Sequence, residues 1–232
     1  TWETMRSLAL GDLYYLLTHV LGREDAQHDW LYARCREVQQ NPNGYLDLWA
    51  REHYKSTIIT FALTIQDILN NPEETFGVFS HTRPIAKAFL VQIKQEFERN
   101  ELLQWLFPDI LWSRPHRDAP KWSKDEGIVV KRKSNPKEST IEAWGLVDAQ
   151  PISKHFSKLI YDDVVTKASV SNPDMIRNVT DCLRLSYNLG TRDGHKRFIG
   201  TRYHFNDTYK EVMESGTAIP RVFPATVDGT VE

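Results

Sequence analysis

The sequence predicts an α/β fold, with a mostly parallel central sheet and helices on both of its faces. Short apolar runs typical of buried strands alternate with longer segments whose apolar residues recur at helical spacing. Strands separated by helices are typical of parallel sheets, because parallel strands need a crossover connection between them. The length of 232 residues is enough for one such domain with a well-buried core.

Individual strands and helices are predicted from these patterns and from the residues at their ends. Gly22 ends the first helix, Pro84 begins the fourth, and Asn172 has the side chain of an N-cap for the fifth. The predicted strands cover 45–48, 75–80, 127–130, 139–144, 158–161, 196–200 and 219–223. The predicted helices cover 5–21, 25–39, 58–69, 84–99, 173–187 and 208–214. The segment 107–124, rich in Pro, Trp and Arg, is predicted to be irregular.

Composition argues against several classes of function. The formal net charge is -2, so no global basic field attracts nucleic acid, and any DNA contact must come from a local patch. The two cysteines, Cys35 and Cys182, are far apart and lack metal-ligand spacing, which fits a reducing compartment rather than a disulfide scaffold. No apolar run approaches the ~20 residues of a membrane helix, so no membrane is expected as a partner.

A phosphate-binding loop is indicated where the first predicted strand meets the third helix, in residues 49–57. The first N–H groups and the dipole of a helix stabilise an anion at its N-terminus. Lys55 is placed to reach the β- and γ-phosphates of a nucleotide, and Ser56 to put its hydroxyl on Mg²⁺. Trp49 and Tyr54 stand where such a loop usually has glycine, so the motif needs a partner downstream.

Tyr54 leaves two conformations open for this loop. The position before the Lys usually has a left-handed backbone, which costs a residue with a Cβ about 1–2 kcal/mol. Either Tyr54 accepts φ > 0 with its ring packed on a neighbour, or the empty loop relaxes and forms its cradle only when ATP and the adjacent subunit bind. Because the loop lacks glycine, we favour the relaxed loop.

The downstream partner is the acidic pair Asp162–Asp163, which follows the apolar strand 158–161. In open α/β sheets, ligands bind outside the carboxyl ends of the strands, where this pair and Lys55 should meet. Asp162 is expected to hold the Mg²⁺ shell and Asp163 to orient or deprotonate the attacking water. Alone, such a pair is more simply a solvated turn; combined with the loop, it indicates an ATP site.

A basic turn, Lys131 to Lys137, joins two predicted strands. It is compatible with contacts to a phosphate backbone and with an ordinary solvated hairpin, of which we favour the hairpin.

In order and spacing, these motifs resemble the large terminase subunit of tailed phages, the ATP-driven motor that packages DNA. The resemblance runs from about residue 27 to residue 207. In that family the loop often begins with a small residue and Arg, as in Ala50–Arg51, although many members have Glu where this chain has Asp163. The further matching segments are an adenine-reading stretch, Gln27–Leu31, and a coupling motif, Gly200–Arg202.

The resemblance implies a P-loop NTPase of the ASCE or RecA-like class that uses ATP and Mg²⁺. The implied catalytic residues are Arg51, Lys55, Asp163 and Thr201. The implied nucleotide-binding residues are Gln27, Arg51, Glu52, His53, Tyr54, Lys55, Ser56 and Thr57. The implied Mg²⁺ ligands are Ser56 and Asp162. An arginine must also stabilise the developing phosphoryl charge, and Arg83, Arg114, Arg117 and Arg132 remain candidates beside Arg51.

The predicted organisation is a helical, adenine-binding segment over 1–43, an ATPase core over 44–215, and a final strand with the start of a linker over 216–232. Complete family members also carry a ribonuclease H-like nuclease domain, and we expect this chain to end before it. The resemblance implies double-stranded DNA, the portal protein and a small terminase subunit as partners, with assembly as a homo-oligomeric ring. It implies a location in the host cytoplasm, transiently on the procapsid portal.

Two alternatives remain open. One is a helicase-type ATPase, which would need a second RecA-like domain. The other is a catalytically weak P-loop scaffold that binds DNA or the portal after losing the loop glycines.

Overall fold

A computed structural model describes residues 1–227 and 230–231. The chain forms an α/β fold around an eight-stranded mixed sheet, which confirms the predicted fold class at this level. The strands of this sheet are β1 Tyr45–Trp49, β2 Phe76–Ser80, β3 Trp122–Ser123, β4 Gly127–Ile128, β5 Ile141–Gly145, β6 Phe156–Asp162, β7 Gly190–Gly200 and β8 Ile219–Phe223. Their order is β3-β4-β5-β2-β6-β7-β1-β8. The predicted linker falls partly on 228, 229 and 232, outside the described residues; β9 Thr226–Val227 and β10 Thr230–Val231 form a separate antiparallel pair.

Helices connect most of these strands. The α-helices are α1 Trp2–Gly11, α2 Leu13–Tyr15, α3 Asp29–Gln40, α4 Thr64–Asn70, α5 Arg83–Arg99, α6 Glu101–Leu106, α7 Pro115–Asp118, α8 Pro173–Ser186 and α9 Thr208–Glu214. Two stretches have π-helical hydrogen bonding, Leu16–Val20 after α2 and Thr57–Leu63 before α4. The prediction of an N-cap at Asn172 is confirmed, because its side chain accepts a hydrogen bond from the Met175 backbone N–H.

The largest differences from the predicted segments are four, and in the first the strand predicted over 196–200 already begins at Gly190. The helix predicted over 5–21 is broken at Asp12, which has an extended backbone and caps the next helix through the Tyr15 N–H. Apolar spacing continues across this cap, which is why the pattern did not show the break. The helix predicted from residue 25 begins at Asp29, with His28 as its N-cap. The segment predicted to be irregular, 107–124, contains α7 and β3.

The sheet is buried on both faces. Successive side chains of a strand point to opposite sides, so one strand contributes to two cores. In β6, Ile160 packs into a core with residues of α1 to α5, whereas Leu159 and Tyr161 pack into a second core with α8 and α9. The six strands from β5 to β8 across the sheet are parallel, and β4 runs antiparallel to both of its neighbours, β5 and β3. The arrangement is consistent with three layers.

The connections that leave β1 and its neighbour β7 run over opposite faces. The helix after β1 buries Ile58 and Ile65 in the first core, and α9 after β7 buries Tyr209 and Val212 in the second. Two neighbouring strands whose connections diverge in this way leave a crevice at their carboxyl ends, where ligands bind in open α/β sheets. The predicted loop and Thr201 both lie at this point.

Candidate phosphate and cation site

A five-residue loop, 50–54, joins β1 to a helix that begins at Lys55. The Ile58 N–H donates to the Tyr54 carbonyl over 2.8 Å, which closes the first i→i−4 turn. The N–H groups of Lys55, Ser56 and Thr57 therefore precede that bond and, as in any first helical turn, have no partner within the helix. They converge where an anion would be stabilised.

Two loop residues with side chains have left-handed backbones: Glu52 at φ 64° and Tyr54 at φ 59°. Of the two conformations considered for Tyr54, the structure has the left-handed one rather than the relaxed loop that we favoured. The ring packs against the first core, and its hydroxyl donates to Asp25 Oδ2 over 2.6 Å. These contacts offset the roughly 1–2 kcal/mol cost of this backbone and replace the freedom that glycine would give.

Lys55 and Thr201 meet at the carboxyl ends of β1 and β7. The Lys55 ammonium donates to Thr201 Oγ1 over 3.2 Å, and the lysine side chain is buried. Two residues that are 146 positions apart in the chain therefore lie together, as expected for motifs at the carboxyl ends of parallel strands.

Asp162 lies at the end of β6, fully buried beneath the same helix. Ser56 Oγ donates to Asp162 Oδ1 over 3.0 Å, and Thr60 Oγ1 donates to the other oxygen. Burial, and secondarily the charge of Asp163, raise the pKa of Asp162 to about 7, although both hydroxyls and Lys55 act to lower it. The carboxyl group is thus hydrogen-bonded by neutral hydroxyls, and a cation bound nearby would stabilise its charged form.

Asp163 has a left-handed backbone at φ 49°, and its N–H donates to the Ile199 carbonyl of β7 over 2.9 Å. Its Oδ1 is buried and has no hydrogen-bond partner among the described residues. Burial raises the pKa of Asp163, and Lys55 and Arg51 oppose that rise. A buried carboxylate oxygen with a strained backbone is typical of a functional site.

The oxygens of Ser56 and Asp162 suit Mg²⁺, which prefers hard oxygen ligands and keeps several of its waters. The orphaned Asp163 oxygen is consistent with such a shell. Over residues 1–227 and 230–231, no group of three or more His, Cys, Asp or Glu side chains is arranged to hold a metal ion. The site therefore fits a cation shared with a phosphate ligand, and not a protein-only metal cage.

Arg51, in the exposed part of the loop, lies on Tyr203 just beyond β7. Its Nη2 is 2.5 Å from the Tyr203 hydroxyl oxygen, and its guanidinium carbon is 5.4 Å from the ring centroid. Arg51 is also close enough to Asp163 to act on its pKa.

A cavity of about 530 Å³ opens beside the loop, within the size range of small-molecule sites. Its lining residues are Asp25, His28, Trp30, Leu31, Glu52, His53 and Tyr54. The Trp30 and His53 rings meet edge to face with centroids 5.3 Å apart. Gln27 is exposed and does not line this cavity; it lines a neighbouring cleft with Tyr14 and His19. Of the predicted nucleotide-binding residues, Glu52, His53 and Tyr54 thus face the cavity, and Gln27 does not.

Sequence reasoning missed two neighbours of these side chains. Thr60 lies one turn after Ser56, and this i, i+4 spacing of hydroxyls was a readable signal. Tyr203 adjoins the predicted Thr201, but nothing in the sequence pairs it with Arg51.

The remaining arginine candidates and the basic turn are engaged elsewhere. Arg83 donates to the carbonyls of Ala143 and Asp125. Arg132 donates to the Glu138 carbonyl, and the N–H groups of Lys133 and Ser134 donate to Glu73. Arg114 and Arg117 are exposed and lie 3.5 and 3.6 Å from Asp118. These contacts favour an ordinary turn over a nucleic-acid contact.

Across the described part of the chain, none of the helices combines the length and apolar composition needed to cross a membrane. A comparison with known protein families finds none that matches the sequence, and a comparison with curated proteins finds no match either.

Proposed function

We propose that the chain is a P-loop ATPase domain of the ASCE or RecA-like class. The observation that carries the proposal is the convergence of Lys55 and Ser56, at a helix N-terminus, with Thr201 of β7 and Asp162 of β6. An anion-binding helix end, a buried lysine and a carboxylate with hydroxyl donors are the groups that phosphoryl transfer requires.

Each side chain has a role in this proposal. Lys55 and the first helical N–H groups bind the phosphates, and Ser56 and Asp162 hold Mg²⁺. When bound, Mg²⁺ neutralises charge on the β- and γ-phosphate oxygens. Asp163, with its unpaired oxygen among the described residues, orients the attacking water and accepts its proton.

In this proposal Arg51 stabilises the transition state, and Thr201 connects hydrolysis to movement. Arg51 leaves Tyr203 to stabilise charge that develops on the transferred phosphoryl group. Thr201, bonded to Lys55, reports the loss of the γ-phosphate through rearranged hydrogen bonds.

The resemblance to the large terminase subunit extends the proposal to a motor that drives double-stranded DNA into a procapsid. On that resemblance alone, the portal protein and a small terminase subunit are its partners, and the chain works in a homo-oligomeric ring in the host cytoplasm.

ATP turnover by the purified chain at high concentration, with and without linear double-stranded DNA, tests the proposal. Lys55→Ala should lower turnover about 10²–10³-fold, because it removes a cation aimed at developing charge, with little change in melting temperature. Lys124→Ala, an exposed lysine on the loop between β3 and β4, is the matched control and should leave turnover unchanged.

Two results would contradict this proposal. Unchanged turnover in a normally folded Lys55→Ala variant would place the nucleotide site elsewhere. Tight ATP binding without turnover by the wild-type chain, with or without DNA, would favour the scaffold alternative.

A further inference from the structure

Ser80, the last residue of β2, has a buried hydroxyl that the interactions described so far leave out. The residue is fully buried, and its Oγ has no hydrogen-bond partner within the described part of the chain. Its backbone is paired, since the Ser80 carbonyl accepts from the Leu146 N–H over 2.8 Å. Only the side chain is therefore unsatisfied.

Ser80 adjoins Asp162 across two parallel strands. The pairs Val78–Ile160 and Phe79–Tyr161 are in register, so the next residues along, Ser80 and Asp162, are neighbours at about the 4.8 Å strand spacing. Both point to the face that holds Ile160, because side chains two residues apart share a face. The hydroxyls of Ser56 and Thr60 reach Asp162 from this side of the sheet.

The packing alone does not account for a serine at this position. Both Asp162 oxygens already accept from other hydroxyls, so Ser80 is not needed to satisfy that carboxyl group. A buried hydroxyl without a partner costs free energy, and alanine, which lacks only that oxygen, would avoid the cost. In native proteins, such a hydroxyl is ordinarily satisfied by a bound water or ion.

We propose that Ser80 is a positioning residue of the cation site, whose hydroxyl bonds a water ligand of the Mg²⁺ held by Asp162. The inference rests on the proposed function. Mg²⁺ keeps several waters when it is bound by few protein groups, and those waters need fixed partners. Ser80 supplies such a partner from a third strand, β2, beside the one that carries the acidic pair.

Thermal unfolding of the whole chain with ATP, titrated with Mg²⁺ from a chelated start, tests this role. Wild-type protein should be stabilised as Mg²⁺ rises, because a ligand that binds only the folded state raises its melting temperature. Ser80→Ala should raise the Mg²⁺ concentration for half-maximal stabilisation about tenfold. Without Mg²⁺, the variant should melt at the wild-type temperature or above it, because it loses an unsatisfied hydroxyl.

Ser186→Ala is the matched control. Ser186 is equally buried, but its hydroxyl bonds Tyr161 and the Leu183 carbonyl in the second core. This variant should melt earlier without Mg²⁺ and keep the wild-type Mg²⁺ dependence.

The outcomes separate the two proposals. Equal Mg²⁺ dependence of the wild type and Ser80→Ala would overturn only the role of Ser80, as would loss of folding in Ser80→Ala, which would show a structural partner. A wild-type chain that does not respond to Mg²⁺ and ATP would overturn the proposed function together with this role.

Discussion

Two regions of the neighbouring strands β6 and β7 hold buried charged or polar side chains in different ways. Toward the amino end of β6, Lys158 and, on the adjoining strand β7, Arg197 lie among carboxylates: Lys158 Nζ is 3.0 Å from Asp67 and 2.6 Å from Glu74, and Arg197 Nη2 is 2.7 Å from Asp67. All three contacts are ion pairs within 3.0 Å. Here each cation has an anion beside it.

At the carboxyl ends of the same strands, the buried acidic side chains are not fully paired. Asp162 is bonded by neutral hydroxyls, and Asp163 keeps an oxygen without a partner in the described structure. Both acids have raised pKa values because burial disfavours their charged forms. The region around Lys158 and Arg197 is built for stability, whereas the carboxyl ends accept an energetic cost that a bound cation and anion would remove.

The largest expected effect comes from removing the buried Lys158, and the buried Lys55 provides the comparison. Lys158→Met leaves Glu74 without its cation and Asp67 with Arg197 alone, and should lower the free energy of unfolding by about 3 kcal/mol. Lys55→Met should change it by less than about 1 kcal/mol, because Asp162 can take up a proton instead. Urea unfolding of both variants in chelator measures the difference. Equal losses would show that Lys55 is structural too.

The acidic pair should divide into two roles. Asp163→Asn should lower ATP turnover about 10²–10⁴-fold and keep nucleotide binding, because it removes a base. Asp162→Asn should weaken Mg²⁺-dependent nucleotide binding, because it removes a cation ligand. Titration of a fluorescent ATP analogue, alongside turnover, distinguishes the variants. Identical binding defects in the two would refute the division.

A pH series sharpens the contrast further. Between the ordinary pKa of 3.8 and about 7, Asp162 binds a proton in the folded state but not in the unfolded state. This group therefore lowers stability as pH rises through that window, by up to roughly 1.4 kcal/mol per pH unit. In chelator, Asp162→Asn should gain stability relative to wild type from pH 4 to pH 7 and level off above it.

The exposed Asp174 provides the control for this series. Asp174→Asn should follow the wild-type pH dependence, since 90% of that side chain is exposed. A constant difference between Asp162→Asn and wild type at all pH values would show that the pKa of Asp162 is not raised.

The smallest effect is expected at Tyr54. Tyr54→Gly relieves a left-handed backbone worth about 1–2 kcal/mol but loses the ring packing and the bond to Asp25. Tyr54→Phe loses only the bond, about 0.5–1.5 kcal/mol. The glycine variant should unfold within about 1 kcal/mol of wild type and bind ATP no more tightly, since the loop already has this conformation. Calorimetric ATP titration measures the affinity, and urea unfolding measures the stability. A clear gain in affinity would favour the relaxed loop instead.

Much of the fold could be predicted because its signals are local. The bounds of α9 and β8 agree with the sequence patterns residue for residue, since each is a short periodic run with clear ends. The meeting of Lys55, Thr201 and Asp162 followed from one rule, that parallel strands deliver their carboxyl ends to one edge.

The rest depended on contacts between distant residues. Strand order is set by packing across the sheet, so nothing local showed that β2 would bring Ser80 beside Asp162. The predictions at Gln27 and Asp12 were wrong for a different reason. The spacing of apolar residues does not show where a chain turns, and the turns set the direction of both side chains.

The π-helical stretch Thr57–Leu63 affects the direction in which the site residues at the start of the helix point. The start of this helix must turn Lys55 and Ser56 toward β6 and β7, while its end must bury Ile65 and Ile68. In an α-helix, each residue adds about 100° of rotation, so the residue count alone fixes the phase between the two ends. Bonds from i to i+5 hold one more residue per turn and change that phase. Deleting one residue from this stretch would rotate the two site residues away from the strand ends while the buried half of the helix stayed in place.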